Sequence, residues 1–233
     1  MNLQHYLHLQ REMAAKVIIP ATGGGYVPHK ENLVFSFDIC YKDETAVVAC
    51  VVDKWQGQRV KSFIATARVN FPYIPRFFCF REGPPIIVVL RAIQDQYGYK
   101  PDLILVDGHG TAHPEKCGLA TWVGVNTGSP AVGCAKSTLL PYSAKGMKKK
   151  GEYARIELNG EIVGVALITR DNVKPVFVSP GFRISVRESI HIISSMTPKY
   201  RIPEPLRAAD HLAGRFAKGE SDSELIDLGF LKQ

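Results

Sequence analysis

No stretch of this 233-residue chain stays apolar for the roughly 18–20 residues a membrane-spanning helix needs, so no such helix is expected. Cysteine is scarce and unpatterned. Cys40, Cys50, Cys79, Cys117 and Cys134 are an odd number, and none stands at metal-ligand spacing from another. That argues against a disulfide framework or a zinc-binding cysteine set. Four of the five lie in apolar segments and read as buried, reduced thiols of a cytoplasmic protein. The opening MNLQHYLHLQREMAAKVIIP has neither a basic lead nor an apolar run behind it, so a secretory signal is not expected. Internal repeats, low-complexity tracts and long linkers are also missing. A single domain over residues 1–233 is the expectation.

What is present is ordinary globular composition, 45% hydrophobic and 22% charged, which excludes wholesale disorder, collagen and coiled coil. Twenty-nine Lys and Arg against 22 Asp and Glu give a net charge of +7, which favours a polyanionic partner. Lys145-Gly146-Met147-Lys148-Lys149-Lys150 is a cationic loop suited to a phosphate backbone, or simply to solvent. Glu220, Asp222, Glu224 and Asp227 make an acidic tail of about residues 219–233.

Residues 2–16 fit an amphipathic helix with Leu3, Tyr6, Leu7 and Met13 near one face. Leu33–Cys40, Thr45–Trp55 and Val60–Val69 are Val-, Ile- and Phe-rich runs separated by polar turns, an antiparallel meander. Phe71–Pro85 holds four prolines and reads as an ordered loop, followed by a helix over Ile87–Tyr97. DLILVD is a short apolar strand ending on Asp107, and a helix over Cys117–Gly124 follows. Strands are expected at Ala131–Ala135, Tyr153–Leu158, Glu161–Thr169 and Val176–Val178, with helices at Ser185–Met196 and Glu204–Lys218. A meander followed by strand–helix alternation gives an α/β fold with one mixed sheet.

The informative feature is where the carboxylates fall. Asp38 sits inside LVFSFDIC, and burying a lone carboxylate there is expensive. Asp107 closes an apolar strand directly before Gly108-His109-Gly110, and ligand sites collect at such strand ends. Glu82 lies in FREGPP and Asp210 in RAADHLAGRF. A single Asp at a strand end is ordinarily a turn cap. Two strand-borne aspartates with a nearby glutamate point instead to oxygen ligation of a hard cation, Mg²⁺ or Mn²⁺. Two such ions can activate water and stabilise the leaving oxygen in phosphodiester hydrolysis.

FDICYKD, FPYIPRFFCFREGPP, LVDGHGTAHPEKCGLA, GCAKS and KYRIPEPLRAAD together resemble the endonuclease V family, in the family's order and across about Leu33–Asp210. The resemblance implies a ribonuclease H-like mixed sheet flanked by helices. It implies Mg²⁺-dependent nicking of DNA containing deoxyinosine, one nucleotide beyond the lesion on its 3′ side, with inosine RNA as an alternative substrate. By matching position, Asp38, Glu82 and Asp107 would hold the metal, for which Mn²⁺ would substitute, with Asp210 as an accessory acid. His113 would orient or protonate at the scissile phosphate, and Lys136 would neutralise its charge. Tyr73, within Pro72-Tyr73-Ile74-Pro75, would be a wedge stiffened by two prolines. Phe78, Gly118, Leu119 and Ala135 would line the pocket for the flipped base. A monomer is expected.

Two positions depart from the family pattern. Arg76 follows PYIP where most relatives carry glycine, which is costly if the turn needs a positive φ. Trp122 stands where histidine is usual and reads as helix packing, with a possible change at the back wall of the pocket. The competing readings are a nuclease preferring inosine RNA or other deaminated or structured nucleic acid, and a nucleic-acid-binding module whose catalysis has lapsed. Retention of the acids argues against the second.

Overall fold

The computed structural model describes every residue except 43, 56, 144, 221–224 and 233, so Asp222 and Glu224 of the acidic stretch lie outside the described residues. The elements are α1 (Leu3–Ala15), β1 (Leu33–Lys42), β2 (Thr45–Lys54), β3 (Arg59–Arg68), α2 (Phe78–Tyr97), β4 (Leu103–Val106), α3 (Leu119–Thr127), β5 (Ala131–Ala135), β6 (Tyr153–Leu158), β7 (Glu161–Leu167), β8 (Val176–Phe182), α4 (Val186–Ser195), α5 (Glu204–Ala217) and β9 (Leu225–Leu231). All nine strands join one sheet in the order β6-β7-β8-β5-β4-β1-β2-β3-β9. β1 runs parallel to β4, β4 to β5 and β3 to β9, and the remaining neighbours are antiparallel.

Both faces of the sheet centre are buried, which is why its strands read as nearly continuous apolar runs. On β2, Val48, Cys50 and Val52 enter the core shared with Ile86, Val89 and Leu90 of α2 and Val123 of α3. The alternate residues Val47, Ala49 and Val51 pack with Ala209 and Ala213 of α5. Helix α4 covers the strands beyond β1 through Ile192 and Ile193. The β6–β7 hairpin turns on Asn159 and Gly160, both at positive φ, as a two-residue hairpin loop requires.

Three elements differ from the sequence expectation. Helix α2 begins at Phe78, nine residues before Ile87, and runs through Pro84 and Pro85. Glu82 is therefore a helical residue and not part of a loop. Tertiary packing overrides the prolines: a Cβ on Gly83 would lie 2.3 Å from the Trp122 ring, so α2 and α3 meet there ring against backbone. Trp122 packs on α2 and is not among the cavity-lining residues described below. The second difference is β9, which turns residues 225–231 of the expected tail into an edge strand on β3. The third is α1, whose one fully buried residue is Gln10, while Leu3 is exposed.

Candidate active site

The register of the sheet assembles the acids. Phe37 on β1 lies opposite Val106 on the parallel strand β4. Asp38, in the middle of β1, and Asp107, just past the carboxyl end of β4, are thereby brought side by side. Lys136 follows the last residue of β5, the next parallel neighbour. Glu82 arrives on α2 and Asp210 on α5, helices that pack on opposite faces of β2. All five side chains line one cavity of about 380 Å³.

The electrostatics of this cluster are unbalanced. The Lys136 ammonium lies 2.5 Å from Asp107 Oδ2 and holds the lysine pKa above its ordinary value. Asp38 is pushed up to about 7, first by burial, then by repulsion from Asp107 and Asp210, with Lys136 pulling the other way. Glu82 is raised by burial and then by Asp38, despite the hydrogen bond it accepts from Tyr41 Oη at 3.1 Å. Four carboxylates thus face one paired cation. Oxygen-only donors with excess negative charge fit a hard divalent ion. Among the described residues, no three of His, Cys, Asp or Glu already stand as a metal cage.

The turn after Asp107 is fixed by backbone close approach. A Cβ on Gly110 would lie 2.1 Å from the Pro180 carbonyl oxygen, and one on Gly118 would lie 2.2 Å from that of His109. Only glycine allows the loop to fold against β8 and the entrance of α3. Gly118, Leu119 and Ala135 line the same cavity as the acids, as does Phe78.

The proline loop forms the rim. Tyr73, Ile74, Pro75 and Arg76 line the cavity, whereas Pro72 is exposed and off its wall. Tyr73 is 67% exposed, with its ring edge-on to Phe78 at 6.4 Å. The Phe77 N–H donates to the Ile74 carbonyl at 3.0 Å, closing a turn with Pro75 and Arg76 at its centre. Arg76 has φ 73°, so this non-glycine residue does occupy the left-handed region. Proline first and positive φ second is the pattern of a type II turn. The Arg76 guanidinium reaches Glu115 at 3.5 Å.

His113 is buried and lines the cavity with the acids. Nε2 donates to the Arg76 carbonyl at 2.8 Å, and Nδ1 accepts from the Glu115 N–H at 3.1 Å. Burial lowers its pKa to about 4. The imidazole is neutral, and its two hydrogen bonds link the Arg76 turn to the loop at Glu115. His109 was passed over in the sequence as part of a glycine turn. It lines the cavity, burial lowers its pKa to about 4, and its Nδ1 is buried with no hydrogen-bond partner among the described residues. Nothing in the local sequence marks that nitrogen. Of the basic loop, Lys148 and Lys149 are exposed, while the Lys150 ammonium is bound to the Thr197 carbonyl at 2.9 Å.

Three meander strands followed by parallel β4 and β5, with Asp107 just past β4, Lys136 just past β5 and three more carboxylates on the same cavity, give the ribonuclease H-like class of α/β fold. Comparison with known proteins narrows the class. The profile of the family described as Endonuclease V matches residues 19–211. Endonuclease V of Dictyoglomus turgidum is 47% identical over 165 residues, 71% of each chain. The crystal structure of endonuclease V from Streptomyces avermitilis superposes with a TM-score of 0.82 at 35% identity, covering 93% of both chains. That of Ciona intestinalis endonuclease V, in complex with a 24mer DNA containing an inosine followed by a ribo-adenosine, gives 0.82 at 26% identity over 93% of this chain and 98% of that one. The chain belongs to the endonuclease V family and is a nuclease.

Proposed function

We propose that this protein nicks DNA containing deoxyinosine at the second phosphodiester bond 3′ to the lesion, in a Mg²⁺-dependent reaction that Mn²⁺ also supports. The carrying observation is the rigid, exposed Tyr73 rim on the same cavity that gathers Asp38, Glu82, Asp107 and Asp210. The inosine-containing DNA bound by the Ciona protein supports the substrate class.

Tyr73 enters the duplex and occupies the space left by an extruded base. The base rests against Phe78, Gly118, Leu119 and Ala135. An N–H aimed at the 6-oxygen of hypoxanthine would be left unpaired by the adenine amine, which disfavours adenine. Asp38, Glu82 and Asp107 hold the cation, with Asp210 beside them. Once bound, the cation supplies an activated water and charge neutralisation at the leaving oxygen. Lys136 places its ammonium on a non-bridging phosphate oxygen, a task suited to a compact point charge. His113 keeps the Arg76 turn in place. The chain acts as a single-domain monomer, and its free cysteines suit the cytoplasm.

The test is nicking of a labelled duplex with one deoxyinosine, beside an undamaged duplex and a matched inosine RNA, in Mg²⁺ and in EDTA. A Mg²⁺-dependent cut one nucleotide 3′ of the lesion, absent from the undamaged duplex, is expected. Faster cutting of the RNA would move the substrate to RNA. Binding that survives EDTA without any nicking in Mg²⁺ would mean a lapsed catalyst.

A further inference from the structure

Gln10 is the one fully buried residue of α1, a helix outside the family-matched residues 19–211. Its Nε2 donates to the Arg76 carbonyl at 2.8 Å and to the Cys117 carbonyl at 3.3 Å, and lies 3.6 Å from the Cys79 sulfur. One side-chain amide therefore ties together the rim turn, the first turn of α2 and the loop entering α3. Reversing the amide would set its oxygen against two carbonyls, so its neighbours fix its orientation. Among the described residues, Gln10 Oε1 is buried without a hydrogen-bond partner, which costs stability. A residue serving only to fill this space would do better as methionine, which has similar reach and no amide to satisfy. The adjacent Arg11 adds a second tie: its Nε lies 2.9 Å from Glu115 Oε2, and Glu115 Oε1 lies 3.5 Å from the Arg76 guanidinium.

We propose that Gln10 is a positioning residue for lesion recognition, setting the wedge turn at a fixed distance from the base-pocket loop. This rests on the deoxyinosine reading above. The Arg76 carbonyl is gripped by Gln10 and by His113 Nε2, both at 2.8 Å. Residue 76 is held at a positive φ that arginine resists and glycine adopts freely, so the turn depends on what grips its carbonyl.

The experiment compares Gln10→Met in the wild-type and Arg76→Gly backgrounds, with Gln10→Leu as a second variant should Met fail to fold. Two readouts are used: hydrogen–deuterium exchange of residues 72–80, and single-turnover nicking of duplex and single strands carrying one deoxyinosine. In the wild-type background, exchange at the Phe77 amide should speed up about tenfold, the scale of one lost hydrogen bond. The half-saturating concentration for the lesion duplex should rise by about the same factor. The maximal rate and the single-strand reaction should fall by less. With glycine at 76, both effects should shrink to roughly threefold or below. Wild-type exchange in Gln10→Met, or equal losses in the two backgrounds, would overturn the proposal. If the wild-type protein leaves the deoxyinosine duplex intact, the substrate reading fails. The exchange result then decides by itself whether Gln10 holds the turn.

Discussion

Lys136 and Asp107 are bound to each other at the cavity, ammonium to carboxylate at 2.5 Å, with the lysine half exposed. A divalent ion that takes Asp107 must share or displace this ammonium, while a scissile phosphate needs it. Lys136→Met should therefore separate cation binding from cleavage. The pair is solvent-screened, so Mg²⁺ affinity by calorimetry should tighten only modestly, up to about fivefold. Nicking should fall by about 10²-fold or more, the usual loss when a group facing transition-state charge is removed. Weaker Mg²⁺ binding in the variant would show instead that Lys136 organises the carboxylates.

The carboxylate cluster also predicts how stability responds to pH. Asp38 titrates at about 7 in the fold, because of burial and then Asp107 and Asp210, against about 3.9 in an unfolded chain. The folded state holds the proton more tightly. Stability from this group is thus fully present below about pH 4 and is lost as pH rises through about 7. Without divalent ions, Asp38→Asn should gain in Tm relative to wild type as pH goes from about 5 to about 8. Added Mg²⁺ should raise the wild-type Tm at the higher pH and leave the variant nearly unmoved. Melting curves in EDTA and in Mg²⁺ decide it, and a constant offset between the proteins at every pH would refute the account.

Much of this was legible in the residues because the signals were local. The meander, β5 and the β6–β7 hairpin follow from apolar runs and an Asn-Gly turn, and Asp38 and Asp107 stand out as carboxylates on apolar strands. What failed to show was non-local. Pro84 and Pro85 read as the end of a loop, yet α2 passes through them, and its contact with Trp122 of α3 at Gly83 is invisible in the local sequence. β9 is short, partly charged and paired only with β3, a partner more than 150 positions away. Gln10 carries no apolar periodicity, since its burial is compensated by carbonyls at positions 76 and 117. The role of His113 depends on which nitrogen carries the proton, which only its two partners reveal.

Arg76 should trade selectivity for general affinity. Its backbone is strained at φ 73°, and its half-exposed guanidinium sits on the cavity rim with only a 3.5 Å contact to Glu115. Arg76→Gly removes about 1–2 kcal/mol of left-handed strain, partly offset by the greater freedom of glycine in the unfolded chain. A Tm equal to or a few degrees above wild type is expected. Removing one cation near the DNA path should also lower affinity for undamaged duplex and flatten its log–log salt slope by about one. The preference for deoxyinosine should sharpen severalfold. An unchanged ranking of lesion over undamaged substrates would show that Arg76 neither crowds the turn nor meets phosphate.

Tyr73 offers the cleanest separation of recognition from chemistry. The residue is 67% exposed between Pro72 and Ile74 and contributes little to the core. Tyr73→Ala should therefore leave Tm and Mg²⁺ affinity nearly unchanged. An exposed aromatic on a proline-stiffened loop is worth most where a base must be lifted from a stack, and stacking contributes about 1–3 kcal/mol per base. The half-saturating concentration for a deoxyinosine duplex should rise about tenfold or more, while a single strand with the same lesion, which has no stack to open, should lose no more than about threefold. Equal losses on both substrates would mean that Tyr73 only supports the flipped base, and the opening of the duplex would then fall to Ile74, its partly buried neighbour on the same rim.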